Sequence, residues 1–391
     1  MKSRKSSLRF WLLCLLGAIL LAGLAWFGSR YYIILQARRP EMAYDPGAWF
    51  EIAPEGAVTG KGEPLSTRMR VGAENKVIVF FYGGGISYDA FTAARPYLGR
   101  MMDTEPGFYA DSTEGSIPDF CELGIGSRQQ NNPFRDWSIV VIPYTTGDFH
   151  IGTADFSYTA LDGTEKVLHQ HGYDNYRAIL DEAVTYTGNA PEELLIAGWS
   201  AGGYGAAILA EELMTDYFPG AEHVTVCVDS SLLILDSFSR IAREVWQAPD
   251  AITEKIRTDN LVVDFLSDLY DTYGDEVTYL YIGSVRDGAL AKYQCYFDTG
   301  VYGISNRFVW VYTNYLRQMI SQLRENIPSI GIYLFDRLPF SWIPWMSMLT
   351  QHTILETQTA YWNLTAGRSP IRWLYAAVNG QVDTVGLEKL R

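Results

Sequence analysis

The chain is poor in cysteine, with four in 391 residues. Cys14 lies in an apolar N-terminal run, which leaves only Cys121, Cys227 and Cys295 in the rest of the chain. Three cysteines allow at most one disulfide, so covalent cross-links cannot be the main support of the fold. The sequence leaves open whether any two of them are joined.

Metal-binding motifs and excess positive charge are also missing. The chain has no C-x-x-C and no H-E-x-x-H, and its five histidines are scattered, so we expect no metal site and no cofactor. Asp and Glu number 45 against 31 Lys and Arg, for a net charge of −14. A protein this acidic is a poor partner for nucleic acid.

The N-terminus combines basic residues with a long apolar run. Residues 1–9 carry four Lys or Arg and no acid, and residues 10–28 carry no charge. Nineteen helical residues would span roughly 28 Å, enough to cross the hydrocarbon of a bilayer. The pattern predicts a signal anchor over residues 1–28 that leaves the bulk of the chain outside the cytoplasm. A cleaved signal peptide, which would make the protein secreted, and a buried core helix are the alternatives.

Short apolar runs rich in β-branched residues recur from residue 76 onward. They cover 77–81, 138–143, 194–198, 224–228, 278–282 and 330–335. Runs of this length, with helical segments between them, are typical of buried parallel strands. The pattern predicts an α/β fold with a doubly wound, mostly parallel sheet in one domain over 76–391, preceded by a less readable extension over 29–75. Cap or lid insertions are expected at 100–136 and 229–277.

The strongest local signal is the segment G-W-S-A-G, which has Ser200 at its centre. A nucleophile elbow needs a strand, a strained turn at the serine and a helix, with small residues that let strand and helix approach. Gly198 and Gly202 supply the small residues here. Ser200 is therefore predicted to be the nucleophile of a serine esterase on an α/β-hydrolase sheet, and Trp199 to lie near the substrate. A chance match in a glycine-rich turn is the alternative.

A second glycine-rich segment, Tyr82–Gly85, ends the first apolar run. Esterases hold the negative oxygen of the tetrahedral intermediate with preorganised backbone N–H groups, one of them from a loop of this kind. We expect these groups to be those of Gly84, Gly85 and Ala201, with Tyr82 at the substrate pocket. A plain turn and a phosphate-binding loop are alternatives, although no Lys-Ser/Thr follows.

The remaining catalytic groups follow from chain order, since the acid and then the histidine follow the serine in this fold. Only His223 and His352 follow Ser200, and His352 comes after the last apolar run, where the base belongs. Asp287, shortly after the fifth run, is the predicted acid. Asp229, at the end of the fourth run, is the alternative.

The loop P-Y-T-T-G-D-F-H-I-G, residues 143–152, leaves the end of the second apolar run. Loops at this edge of a parallel sheet reach the rim of the site. Asp148 and His150 are therefore candidates for the substrate pocket, with simple turn formation as the alternative for Asp148. His150 precedes Ser200 and so does not fit the usual position of the base.

Together these segments resemble the pectin acetylesterase and Notum carboxylesterase family of α/β hydrolases, in particular its bacterial members. The pieces most specific to that family are S-A-G-G-Y-G, P-Y-T-T-G-D-F-H-I-G and H-T-I-L. The resemblance implies the triad Ser200, Asp287 and His352. Family members often have Cys after the Pro-Tyr pair, where this chain has Thr145, so a disulfide common in eukaryotic relatives is absent.

The expected protein is thus an extracytoplasmic, membrane-anchored serine carboxylesterase. The resemblance suggests that its substrate is an O-acetylated glycan, and the acidic charge disfavours polygalacturonate. A deacylase of lipid-modified protein, or a lipase, would use the same triad. A hydrolase-fold binding protein without activity is the alternative from another class.

Overall fold

An eight-stranded sheet lies at the centre of the computed structural model, which describes residues 14–26, 46–97, 106–113, 116–303, 306–337 and 349–391. The strands of this sheet are β1 (Trp49–Ile52), β2 (Thr67–Arg70), β3 (Lys76–Phe81), β4 (Ser138–Ile142), β7 (Glu193–Trp199), β8 (His223–Asp229), β9 (Val277–Ser284) and β10 (Gly331–Phe335). Two further strands, β5 (Ala154–Thr159) and β6 (Glu165–Gln170), form a separate antiparallel hairpin.

The spatial order of the sheet is β1-β2-β4-β3-β7-β8-β9-β10. Six neighbouring strands of this order run parallel, namely β4, β3, β7, β8, β9 and β10, and they are the six predicted apolar runs. Their side chains are buried on both faces, which is why these sequences are continuously apolar rather than alternating. The mixed, mostly parallel α/β sheet is therefore confirmed.

The antiparallel edge of the sheet was not predicted. Strands β1 and β2 come from the extension at 29–75, and β2 pairs with β4. The sheet therefore begins before residue 76. Both strands are short, and β2 carries two arginines; the guanidinium of Arg70 is buried and donates to the carbonyls of Gly126 and Phe134.

The described part of the chain also contains twelve helices. They are α1 (14–26), α2 (Ala90–Ala93), α3 (Ser116–Glu122), α4 (Gly172–Thr187), α5 (Ala201–Ile208), α6 (Ala210–Glu212), α7 (Phe238–Arg240), α8 (Asp250–Thr253), α9 (Leu261–Tyr273), α10 (Gly288–Thr299), α11 (Asn306–Asn326) and α12 (Pro370–Val378). Short 3₁₀ turns occur at Gly124–Gly126, Gly274–Glu276, Gln358–Tyr361 and Leu387–Leu390, and π-helical turns at Leu213–Tyr217 and Ile241–Val245.

Helix α5 lies against β3, β7 and β8, and helix α4 lies against β4. Helix α9 falls within 229–277, where a cap insertion was expected. It packs against α5 and α11, with a buried face that includes Leu266 and Leu269. This part of the segment therefore belongs to the layer of helices beside the sheet.

The predicted membrane anchor lies partly outside the described residues, which omit 1–13 and 27–45. Residues 14–26 form α1, whose side chains are largely exposed. In the part of the chain that the structure describes, no helix has both the length and the apolar character needed to span a bilayer. The predicted transmembrane helix is therefore not found among these residues.

The cysteines outside α1 are buried and free, so no disulfide joins Cys121, Cys227 and Cys295. Burial raises the pKa of the Cys121 thiol to about 12. These side chains act as small apolar groups of the core. The core itself is continuous across the sheet and its helices.

Candidate active site

Ser200 lies in the turn between β7 and α5, with φ 54° and ψ −124°. A residue other than glycine in this region of backbone conformation stores strain of about 1–3 kcal/mol. The turn is held by two hydrogen bonds: the N–H of Ser200 donates to the carbonyl of Asp229 at 2.8 Å, and its carbonyl accepts from the Ser231 hydroxyl at 2.6 Å. A Cβ at Gly202 would lie 2.1 Å from the carbonyl oxygen of Phe81, so only glycine lets helix and sheet approach this closely.

The glycine-rich loop after β3 lies directly beside this turn. A Cβ on Gly83 would be 2.7 Å from the Cβ of Ser200 and 2.4 Å from the carbonyl oxygen of Trp199. The two predicted oxyanion segments, the loop and the start of α5, are therefore neighbours in space. They come together because β3 and β7 are adjacent parallel strands that end at the same edge.

The peptide groups of the glycine-rich loop are held in place by hydrogen bonds that their carbonyl oxygens accept. The N–H of Ala110 donates to the carbonyl of Gly84 at 2.7 Å, and the Tyr144 hydroxyl donates to the carbonyl of Gly85 at 2.9 Å. Gly85 has a φ of +80°, and a Cβ there would lie 2.0 Å from the Phe108 carbonyl oxygen. The loop is thus preorganised before any substrate binds, as an oxyanion site requires.

His352 and Asp287 are brought together at a distance of 2.6 Å between Nδ1 and Oδ2. Asp287 is fully buried, and 22 % of the His352 side chain is exposed. The second carboxylate oxygen of Asp287 accepts from the N–H groups of Ala289 and Leu290, both at 2.9 Å, and so caps α10. Burial alone would lower the pKa of His352, but attraction to the Asp287 carboxylate outweighs it and the pKa is raised.

Asp229, the alternative acid, has different partners. Its Oδ2 accepts from the N–H groups of Ile354 and Leu355, both at 2.9 Å, and its Oδ1 accepts from the Ser230 hydroxyl. Burial raises the pKa of this carboxyl to about 6, despite the hydrogen bonds that favour its charged form. Asp229 therefore holds the loop that carries His352, and its backbone carbonyl holds Ser200.

Glu356 is a further acidic group of the site, and the sequence contained no signal for it. One carboxyl oxygen accepts from the Thr353 hydroxyl, and the other is buried without a hydrogen-bond partner among the described residues. Burial, followed by repulsion from Asp229, raises the pKa of Glu356 to about 8. The group is therefore mainly protonated at neutral pH and adds little negative charge beside His352.

Asp148 and His150 lie beneath the glycine-rich loop and are buried, which differs from the expectation that they line the pocket. Asp148 accepts from the Thr146 hydroxyl at 2.6 Å and from the N–H of Gly172 at 2.8 Å. The Nε2–H of His150 donates to the carbonyl of Tyr82 at 2.8 Å. Burial lowers the pKa of His150 to about 4, so this imidazole is neutral and positions the loop.

Tyr82 and Trp199 do lie beside the reacting groups. Their rings meet edge to face, with centroids 5.4 Å apart, and the Trp199 ring lies 6.5 Å from that of His352. Trp199 is half-buried, whereas Tyr82 is almost fully buried. Trp199 is thus the better placed of the two to touch a substrate.

The fold is similar to that of a solved structure, the Wnt deacylase Notum from Drosophila. The TM-score is 0.56 at 16 % sequence identity, and the match covers 84 % of this chain and 92 % of that chain. At this identity the likeness concerns the fold. No curated protein matches the chain in sequence.

Asp229 binds both the turn of Ser200 and the loop that follows His352. A serine on a strained turn between a parallel strand and a helix, together with a histidine bonded to a buried carboxylate, is how α/β hydrolases are equipped to split carboxylic esters. The chain is a serine carboxylic-ester hydrolase. A family model described as pectinacetylesterase matches residues 69–268, about half of the chain, and the chain belongs to the pectinacetylesterase family. The resemblance drawn from the motifs is thereby confirmed, and the protein acts on acyl esters.

Proposed function

We propose that this protein removes O-acetyl groups from a glycan through a triad of Ser200, His352 and Asp287. The Ser200 hydroxyl attacks the ester carbonyl while Nε2 of His352 accepts its proton. His352 then protonates the departing glycan oxygen, which leaves an acetyl-enzyme. A water molecule, deprotonated by the same imidazole, releases acetate and restores Ser200. The observation that carries this proposal is the 2.6 Å bond from Asp287 to Nδ1 of His352, which leaves Nε2 for the serine.

The oxyanion of each tetrahedral intermediate is proposed to lie among the N–H groups of Gly84, Gly85 and Ala201. Two features support this assignment: the carbonyls of the loop are bound on its far side, and the start of α5 adds the favourable end of a helix dipole. Removing one such donor typically lowers kcat by about 10²–10³-fold.

The family match favours an acetyl ester of a polysaccharide as the substrate, because its model is described as pectinacetylesterase. A second candidate is a longer acyl group on a protein, which is favoured by the likeness of fold to a Wnt deacylase. Initial rates with acetylated xylan or pectin, compared with those on p-nitrophenyl esters of two to sixteen carbons, separate the two. A rate that falls steeply beyond the acetyl ester supports the glycan proposal, and a maximum at long chains favours the other.

The same proposal includes a site of action outside the cytoplasm, with the chain tethered by its N-terminal segment. Its support is the sequence order of basic and then uncharged residues over 1–28. Expression of the full chain in bacteria, followed by membrane fractionation and protease treatment of intact spheroplasts, tests it. Recovery of the esterase in the cytoplasmic fraction would contradict this localisation.

The nucleophile is tested with Ser200→Ala and a matched control, Ser157→Ala, at an exposed serine of β5. We expect Ser200→Ala to lose p-nitrophenyl acetate hydrolysis and labelling by a fluorophosphonate probe, and Ser157→Ala to keep both. Retention of either signal by a folded Ser200→Ala protein would remove Ser200 from the mechanism.

A further inference from the structure

The hairpin of β5 and β6 brings three side chains with metal-ligand chemistry to one face. Asp155 is directly opposite His169 in the register of the two strands. His171 lies just beyond the end of β6, at the residue that precedes α4, and its ring also reaches Asp155. One ligand atom from each of these three residues lies within 4.8 Å of the other two.

These ligand atoms converge on a single carboxylate oxygen. Oδ1 of Asp155 is 2.6 Å from Nδ1 of His169 and 3.0 Å from Nε2 of His171. The other ring nitrogen of His171 is 2.8 Å from a carboxylate oxygen of Asp174, in the first turn of α4. A carboxylate on the far nitrogen of an imidazole is the usual partner of a metal-bound histidine, because it fixes the tautomer and the ring orientation.

We propose that Asp155, His169 and His171 bind a divalent transition-metal ion, with Zn²⁺ as the best fit. Two imidazoles favour Zn²⁺ over Mg²⁺ and Ca²⁺, which prefer oxygen ligands. A tetrahedral site with Zn–N near 2.05 Å needs ligand atoms about 3.3 Å apart. From the observed 2.6 and 3.0 Å, the Asp155–His169 pair must open by about 0.7 Å and the Asp155–His171 pair by about 0.3 Å to reach this spacing. Rotation of these partly exposed side chains supplies both movements.

The site is accessible to an ion from solvent. The side chains of His169 and His171 are 30 % and 26 % exposed, and that of Asp155 is 61 % exposed. This exposure also leaves the fourth coordination position to water or to an oxygen of a ligand. The two carboxylates, Asp155 and Asp174, balance the double positive charge of the ion.

A metal here would join the hairpin to the N-terminus of α4. The connection continues to the esterase site, because the N–H of Gly172 donates to Asp148 and His150 in the same loop holds Tyr82. The ion is thus a structural tie, separate from Ser200 and its partners. It goes beyond ester hydrolysis and does not depend on the identity of the ester.

The test uses the full chain after treatment with a chelator and gel filtration. Zn²⁺ is titrated in competition with a chromophoric chelator, and Co²⁺ is added separately so that its visible absorption reports coordination. We expect one equivalent of Zn²⁺, intense Co²⁺ bands typical of low coordination number, and a rise of a few degrees in Tm. His169→Gln and His171→Gln should each weaken Zn²⁺ binding at least tenfold. Asp174→Asn should weaken it about 10–100-fold through the outer hydrogen bond.

The control is His223→Gln, since His223 is exposed at the start of β8 and lies outside the hairpin. It should bind Zn²⁺ as the unaltered protein does. The proposal is overturned if the unaltered protein has no one-equivalent site, or if His169→Gln and His171→Gln bind like the control. The Co²⁺ spectrum needs no variant, so the test holds even where a substitution disturbs folding.

Discussion

Substitution of Asn for each of two buried carboxylates separates their roles at His352. In Asp287 both oxygens are used: one accepts two backbone N–H groups at the start of α10, and the other accepts Nδ1–H of the imidazole. Asn offers only one acceptor oxygen. With that oxygen on the helix, its amide would face Nδ1 and favour the wrong tautomer. We expect Asp287→Asn to lower kcat by about 10⁴-fold, as the same change does in other triads.

Asp229→Asn should be far milder. Its amide oxygen can keep both N–H groups of Ile354 and Leu355, while its NH₂ donates to the hydroxyl of Ser230. We expect a loss of less than about tenfold in kcat, since every partner stays bonded. Asp229→Ala leaves the two buried N–H groups without an acceptor. At about 1–3 kcal/mol each, this should cost about 2–6 kcal/mol of stability and loosen the loop of His352.

The assay is kcat and KM on p-nitrophenyl acetate, together with thermal unfolding of each variant. Asp264→Asn is the matched control, because Asp264 in α9 also accepts two N–H groups and one hydroxyl, from Arg257 and Thr258. It should keep full kcat. If Asp229→Asn loses as much activity as Asp287→Asn while Asp264→Asn does not, the reasoning is refuted and Asp229 is the acid of the triad.

Three other predictions concern the same site. The imidazole of His352 must be neutral to accept a proton, and its pKa is raised from 6.5. We therefore expect kcat/KM to fall as the pH drops, with a midpoint above 6.5. A pH–rate profile whose acid limb is centred below 6 would contradict this. The carboxyl of Glu356 has a pKa of about 8 in the folded protein against an ordinary 4.5. Between these two pH values the folded state keeps a proton that the unfolded state releases, so the free energy of unfolding falls as the pH rises from 4.5 to 8. The Tm of Glu356→Gln minus the Tm of the unaltered protein should therefore increase as the pH rises through that window. A difference in Tm that does not change with pH would exclude the effect. Gly85→Ala should lower kcat at least about 10²-fold, because its Cβ would meet the Phe108 carbonyl at 2.0 Å. Gly163→Ala is the control for backbone strain alone, since Gly163 has a similar φ of +82° and open space around it. Equal rates in the two variants would remove the glycine-rich loop from the mechanism.

The parallel strands and the turn at Ser200 were predictable because their signals are local. A strand buried on both faces must be apolar at consecutive positions, so β3, β4 and β7 can be recognised from stretches of five to seven residues. The turn at Ser200 needs small residues two positions to either side, where any Cβ would meet backbone. Chain order then pointed to Asp287 and His352, which the fold brings together.

The remaining features depend on which segments become neighbours. Asp229 and Asp287 each follow an apolar strand, and only the fold shows that one binds backbone 125 residues further along the chain while the other binds the imidazole. The burial of Asp148 and His150 likewise depends on the loop that covers them.

The cluster at Asp155 shows the same limit. Its ligands come from opposite strands, so their spacing in sequence matches no metal motif, and the register of the hairpin alone makes Asp155 and His169 adjacent. Sequence determines which secondary structure each segment favours, because that preference depends on a few neighbouring residues. Tertiary structure decides which polar groups lose water and which partners replace it, because that depends on contacts between residues far apart in the chain.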